Sequence, residues 1–175
     1  MRDLKEFEKI IKHKFKNESL LKEALTHPSL SCDQKERFNY ERLEILGDSI
    51  LSFVIVEYLF EYFVQEEEGG ISKRKSIIVS TKYLARVAKE IELGSFMFMS
   101  KGEDETGGRL KDKNLENSME ALIGAIYLDS NINTVKNFIL RYWIPIIANF
   151  KDPPKDTKTR LQEWLQKNHK SLPTY

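Results

Sequence analysis

Apolar residues recur along this chain at three- and four-residue spacing almost from end to end, the period of helices that each bury one side. Leu4, Phe7, Ile10 and Ile11 begin the pattern. Asn17 stands where an N-cap is expected, ahead of Leu20, Leu21, Ala24 and Leu25. Residues 29–39 are polar and aperiodic and read as a loop. A long helix is predicted over 40–64, with Gly69 and Gly70 as its break, then shorter helices over 71–79 and 83–91. The Gly-rich, charged stretch 101–114 reads as irregular, and two further helices are predicted over 115–128 and 133–147. No segment alternates well enough to be a strand and no repeat is present, so the expected fold class is all-α, a helical bundle. Paired prolines cannot continue a helix, which marks residues 151–157 around Pro153 and Pro154 as a linker. Leu161, Trp164 and Leu165 predict a short amphipathic helix beyond it.

The 175 residues suffice for one domain with a real core, and 41% hydrophobic with 31% charged residues is ordinary for a globular protein. No apolar run approaches the roughly 20 residues of a membrane helix. The N-terminus lacks an apolar leader, and Cys32 is the single cysteine, so the cytoplasm is the default expectation. A net charge of +1, from 28 basic and 27 acidic residues, neither favours nor excludes nucleic acid. An acidic site and a basic groove would cancel in that total.

The chemistry concentrates on two apolar helices that carry acids. Glu41, Glu44 and Asp48 point to about 0°, 300° and 340° around the long helix, one narrow face. Leu43, Leu46, Ile50 and Val54 lie opposite and form the core stripe. Three aligned acids without an interleaved base repel one another, and a divalent cation would relieve that repulsion. Glu120 stands in the apolar run over 119–128, with Asn117 three residues earlier on the same face and with Gly124 and Ala125 able to admit a close helix. Carboxylates from two helices suit magnesium, which takes a few hard oxygen ligands and keeps several waters. The competing reading is a solvated acidic face, and the pattern alone leaves both open.

Glu41-Arg42-Leu43-Glu44-Ile45-Leu46-Gly47-Asp48-Ser49-Ile50-Leu51 resembles the signature motif of the bacterial ribonuclease III family. The segment from Leu20 through Thr26-His27-Pro28-Ser29, the turn Glu68-Gly69-Gly70, the loop pieces Lys101-Gly102-Glu103 and Gly107-Gly108-Arg109, and the helix from Glu120 to Asp129 are family-like too, in the right order. The resemblance implies an endonuclease domain over 1–150, the linker, and over 158–175 the truncated start of a double-stranded-RNA-binding domain. It also implies a homodimer with two-fold symmetry that cuts double-stranded RNA with water activated by Mg2+, for which Mn2+ can substitute. The products would carry 5′-phosphate and 3′-hydroxyl ends with short 3′ overhangs. Precursor ribosomal RNA and structured messages are the expected substrates.

By the same resemblance, Glu44, Asp48, Asn117 and Glu120 form the metal site, Glu41 belongs to the catalytic acids, and Glu68 is a supporting acid from the partner subunit or at the RNA. Ile45 stands where the family usually has Phe inserted into a pocket of the partner; the alternative is packing within its own chain. Lys73, Lys75, Lys101 and Arg109 are candidate RNA contacts, together with Arg74 and Lys82; Gln162 and Glu163 would contact RNA from the second domain. His27 reads as structural. Asn117 departs from the family, which usually has Asp there. It keeps a carbonyl oxygen but loses a charge, and Glu116, about 100° away from it around the helix, is no obvious replacement. Two other functions remain in play: a ribonuclease III-like RNA-binding protein with weak or no cleavage, and a helical magnesium-dependent nucleotide pyrophosphohydrolase. A di-iron bundle is disfavoured by the lack of Glu-x-x-His pairs.

Overall fold

A computed structural model describes residues 3–30 and 38–150 and, beyond them, only Leu165 and Lys167, both helical. The predicted linker, Gln162, Glu163 and Cys32 lie outside the described residues. The described chain is helical, as the periodicity predicts: α1 (Leu4–Ile11), α2 (Glu18–Ala24), α3 (Glu41–Tyr62), α4 (Glu68–Ile78), α5 (Thr81–Glu90), α6 (Lys101–Glu105), α7 (Asp112–Asp129) and α8 (Ile132–Ile147). One isolated parallel bridge, between Thr26 and Phe98, is the nearest approach to a sheet among the described residues.

The organising element is α7. From Leu115 to Ile126 nearly every side chain is buried, the polar Glu116, Ser118 and Glu120 included, so the helix is central to the bundle. It packs most extensively on α3 and also meets α5, α2 and α8. The predicted stripe of α3 faces it, with Leu43, Ile50 and Val54 buried and Leu46 partly so. Asn17 caps α2 as anticipated, its side chain accepting from the Ser19 amide. The C-terminal end of α7 is tied back to the N-terminal segment through Asp129, which accepts from the Lys16 and Asn17 amides and lies 3.1 Å from His13 Nε2. Trp143 of α8 is fully buried and donates to the Ile78 carbonyl at 3.1 Å.

Two predicted boundaries are corrected. Gly69 and Gly70 do not break the long helix; the break falls over 63–67, and both glycines lie in the first turn of α4. The cause is Arg74. Its side chain is fully buried, grips the Glu66 carboxylate through Nε and Nη2, donates through Nη1 to the Phe150 carbonyl and sits 3.7 Å above the Phe63 ring. That clasp folds the turn, and it also removes Arg74 from the candidate RNA contacts. The second correction concerns 101–114, which is ordered by its own polar side chains rather than irregular. Glu103 accepts from Lys111 and Asn114, and α7 begins three residues earlier than predicted.

Candidate active site

The site is set by how closely α3 and α7 approach. A Cβ on Gly47 would lie 1.7 Å from the Glu120 carbonyl oxygen, and one on Gly124 would lie 2.6 Å from that of Leu43. Only hydrogen fits at either position. This contact brings Glu44 and Asp48 of α3 against Glu120 of α7. At the start of α3, Asn39 is buried, accepts from the Glu41 amide at 3.0 Å and donates to Glu41 Oε2 at 3.1 Å, which fixes that carboxylate.

Electrostatics show that these acids act on one another. Glu120 is 8% exposed, and its pKa is pushed up to about 8, first by burial and then by the charges of Asp48, Glu116 and Glu44, with Lys113 opposing. Glu44 is raised in the same way by burial, with Glu116, Glu41 and Asp48 adding and Lys113 opposing. The buried Tyr40 hydroxyl is pushed up to about 12 by burial, with the charges of Glu44, Glu41 and Glu103 adding and a hydrogen bond with Asn117 opposing.

Among the described residues, no three His, Cys, Asp or Glu side chains converge as a ready-made cation cage. Magnesium does not require one, because it is commonly held by one or two carboxylates and its own waters. The chain's residues fit such an ion in donor type and in charge. They supply hard oxygens from two rigid helices, mutual repulsion that a cation would cancel, and an Asn117 Oδ1 that is buried with no hydrogen-bond partner among the described residues.

The other predicted residues fall elsewhere. Ile45 is 73% exposed and does not pack within its own chain; Phe53, Val56 and Phe60 are exposed within about 80° of it around α3. Val56 and Phe60 border a cleft of about 510 Å³ lined also by Glu66, Glu68, Ile71, Ser72 and Lys75. Glu68 therefore sits near the far end of α3, a helix of about 33 Å, and is not brought to Glu44 within one chain. Lys73 and Lys101 are on the surface, and Lys101 lies 3.6 Å from Glu105. Arg109 departs from expectation. Its guanidinium holds Asp104 and the Gly94 and Met97 carbonyls, so its place is in the loop's own structure. His27 is structural as read, its Nδ1 accepting from the Ser29 amide.

Sequence reasoning missed Tyr40, Asn39, Lys113 and Glu116. For Glu116 the signal was present but measured from the wrong residue. It is about 100° from Asn117 but only about 40° from Glu120, closer than Asn117 itself at about 60°.

The class of protein is thus a helical bundle in which one buried, acid-bearing helix is locked through glycines to a second acidic helix. A family model described as Ribonuclease-III-like matches residues 17–147. "Ribonuclease 3" of Wolbachia sp. subsp. Drosophila simulans (strain wRi) is 51% identical over 169 residues, covering 95% of this chain and 73% of that protein. "Ribonuclease 3" of Ehrlichia ruminantium (strain Welgevonden) is 48% identical over 167 residues, covering 95% and 74%. Among solved structures, the nuclease domain of ribonuclease III from Campylobacter jejuni superposes with a TM-score of 0.77 at 38% identity, covering 82% of this chain and 97% of that one. The chain belongs to the ribonuclease III family of endoribonucleases.

Proposed function

We propose that the chain cleaves double-stranded RNA as a homodimer, using a magnesium or manganese ion held between α3 and α7. The observation that carries this reading is Glu120, an acid buried in the central helix against the acids of α3. When bound, the ion supplies Lewis acidity and activates water at neutral pH. Glu44, Asp48 and Glu120 hold it, Asn117 offers its amide oxygen, and Glu41 is kept in place by Asn39. Lys73, Lys75 and Lys101 contact backbone phosphates, the main source of affinity for a duplex. The products carry 5′-phosphates and 3′-hydroxyls with short 3′ overhangs. Precursor ribosomal RNA and other structured RNAs are the proposed substrates, in the cytoplasm. No described helix is long and apolar enough to cross a membrane. Residues 1–150 form the endonuclease domain, 151–157 the linker, and 158–175 begin an RNA-binding domain with Gln162 and Glu163 at the duplex.

In the proposed dimer, Ile45 of the partner subunit enters the cleft beside Val56 and Phe60. A two-fold axis then brings each Glu68 to the acids at the other subunit's end of α3. The Ile45→Asp protein would bury a charge at that contact, and we expect its dimer to weaken by at least about 100-fold. Light scattering across a dilution series reads this, and an unchanged dimer would place the interface elsewhere.

Asn117 favours a second reading, RNA binding with slow cleavage. The Asn117→Asp protein should bind metal about tenfold more tightly, since ligand charge sets cation affinity. Equal affinity in both proteins would show that the amide is not a handicap. The proposal itself is tested by incubating the chain at low salt with a long end-labelled duplex and magnesium, manganese or chelator. Metal-dependent, staggered cuts with 5′-phosphates support it, and retention of the duplex without cuts supports the binding-only reading.

A further inference from the structure

The roles above leave unused one buried acid and the cation bonded to it. Glu116 is 8% exposed, yet no part of the proposed chemistry needs it. Its Oε1 accepts from Thr81 Oγ1 at the start of α5 at 3.0 Å, and its Oε2 lies 2.8 Å from Lys113 Nζ. Around α7, Lys113 is about 20° to one side of Glu120 and Glu116 about 40° to the other, so all three share one face. The charges of both Glu116 and Lys113 reach Glu44 across the helix contact as well as Glu120 on their own helix. Asn117, uncharged, lies about 60° from Glu120 on the Lys113 side, with a buried oxygen that has no hydrogen-bond partner among the described residues.

We propose that Glu116 is a further positioning acid of the cation site and that Lys113 is the site's resident counter-ion. Thr81 fixes Glu116 from α5, so that its charge stands beside the neutral Asn117. Lys113, bonded to Glu116, lies in the field of Glu44 and Glu120 and offsets their repulsion while no divalent cation is bound. An arriving cation competes with that ammonium, so this pair of residues sets the affinity of the site. The inference rests on the reading of the α3–α7 contact as a cation site. A purely structural Glu116 would anchor α5 to α7 and affect melting alone.

The test is a titration of the full chain with Mn2+ alone, without RNA, in which paramagnetic resonance measures the free ion. The Lys113→Met protein should bind Mn2+ about tenfold more tightly and the Glu116→Gln protein about tenfold more weakly. Glu116→Gln combined with Asn117→Asp moves the charge one position along the helix and should restore the affinity of the unaltered protein. Lys111→Met is the control for general charge, because that ammonium is held by Glu103 and Thr106; it should change affinity by less than about twofold. Lys113 and Glu116 variants that bind like the unaltered chain would overturn the inference while leaving the cation site standing. A double variant as weak as Glu116→Gln would also overturn it, since packing rather than charge would then be responsible. No Mn2+ binding by the unaltered chain would overturn the cation site and the inference together. If Glu116→Gln fails to melt cooperatively, the exposed Lys113 carries the test by itself.

Discussion

The Glu120→Gln protein is expected to be more stable than the unaltered chain at pH 8 in the absence of metal, and nearly inactive on RNA. Glu120 is held at a pKa of about 8, well above the ordinary carboxylate value of 4.5. The folded chain therefore binds a proton that the unfolded chain has already released between those two values. Stability is full below about 4.5 and falls as pH rises through about 8, because the unfolded state binds fewer protons across that window. Asp48, Glu116 and Glu44 face the group and oppose its ionisation, and Lys113 favours it. Glutamine removes the charge and keeps the shape, which should flatten this dependence and recover a few kcal/mol at pH 8. Thermal melts at pH 5 and pH 8 with chelator present read the effect; equal losses in both proteins would assign the pH dependence to other groups. In the unaltered chain, divalent cations should bind more tightly as pH rises towards 8, since binding must release the Glu120 proton. Cleavage by the glutamine protein should fall on the order of a thousandfold or more, while the dimer persists.

The second large effect is expected at Gly47. A methyl group there would lie 1.7 Å from the Glu120 carbonyl oxygen, which belongs to a helix backbone and cannot swing away. The Gly47→Ala protein must separate α3 from α7 and should lose about 3 kcal/mol or more, roughly 10 °C in melting temperature. The same separation would draw Glu44 and Asp48 away from Glu120, so residual folded protein should cleave poorly. Gly69 is the contrast. A Cβ added there, in the first turn of α4, would meet nothing within 4 Å, so Gly69→Ala should be neutral or stabilise by about 0.5–1 kcal/mol. Equal losses at the two positions in urea denaturation would mean that the helix contact is not the sensitive feature.

Much of the fold was legible because helical periodicity follows directly from burial. The stripe of Leu43, Ile50 and Val54 and the Asn17 cap both came from pattern alone. Boundaries failed where a single side chain overrides local preference. Nothing near Gly69 announces that Arg74 will be buried and will fold the turn over 63–67, because its partners Glu66 and Phe150 come from different parts of the chain. The candidate site was legible as far as one helix at a time can show. Glu41, Glu44 and Asp48 declare their common face, and Glu120 stands out in an apolar run. Gly47 reads as a motif residue, and its steric reason emerges only when α7 is against it. The Arg109 expectation failed for the same reason, since the Gly94 and Met97 carbonyls that hold it are neighbours in space only.

Anomalous diffraction from crystals soaked in Mn2+ reads whether the acids of α3 and α7 hold one cation site. A peak is expected between the two helices, within coordination distance of the Asp48 and Glu120 carboxylates. Manganese bound only elsewhere, for instance in the cleft beside Glu66 and Glu68, would mean that these acids hold no such site.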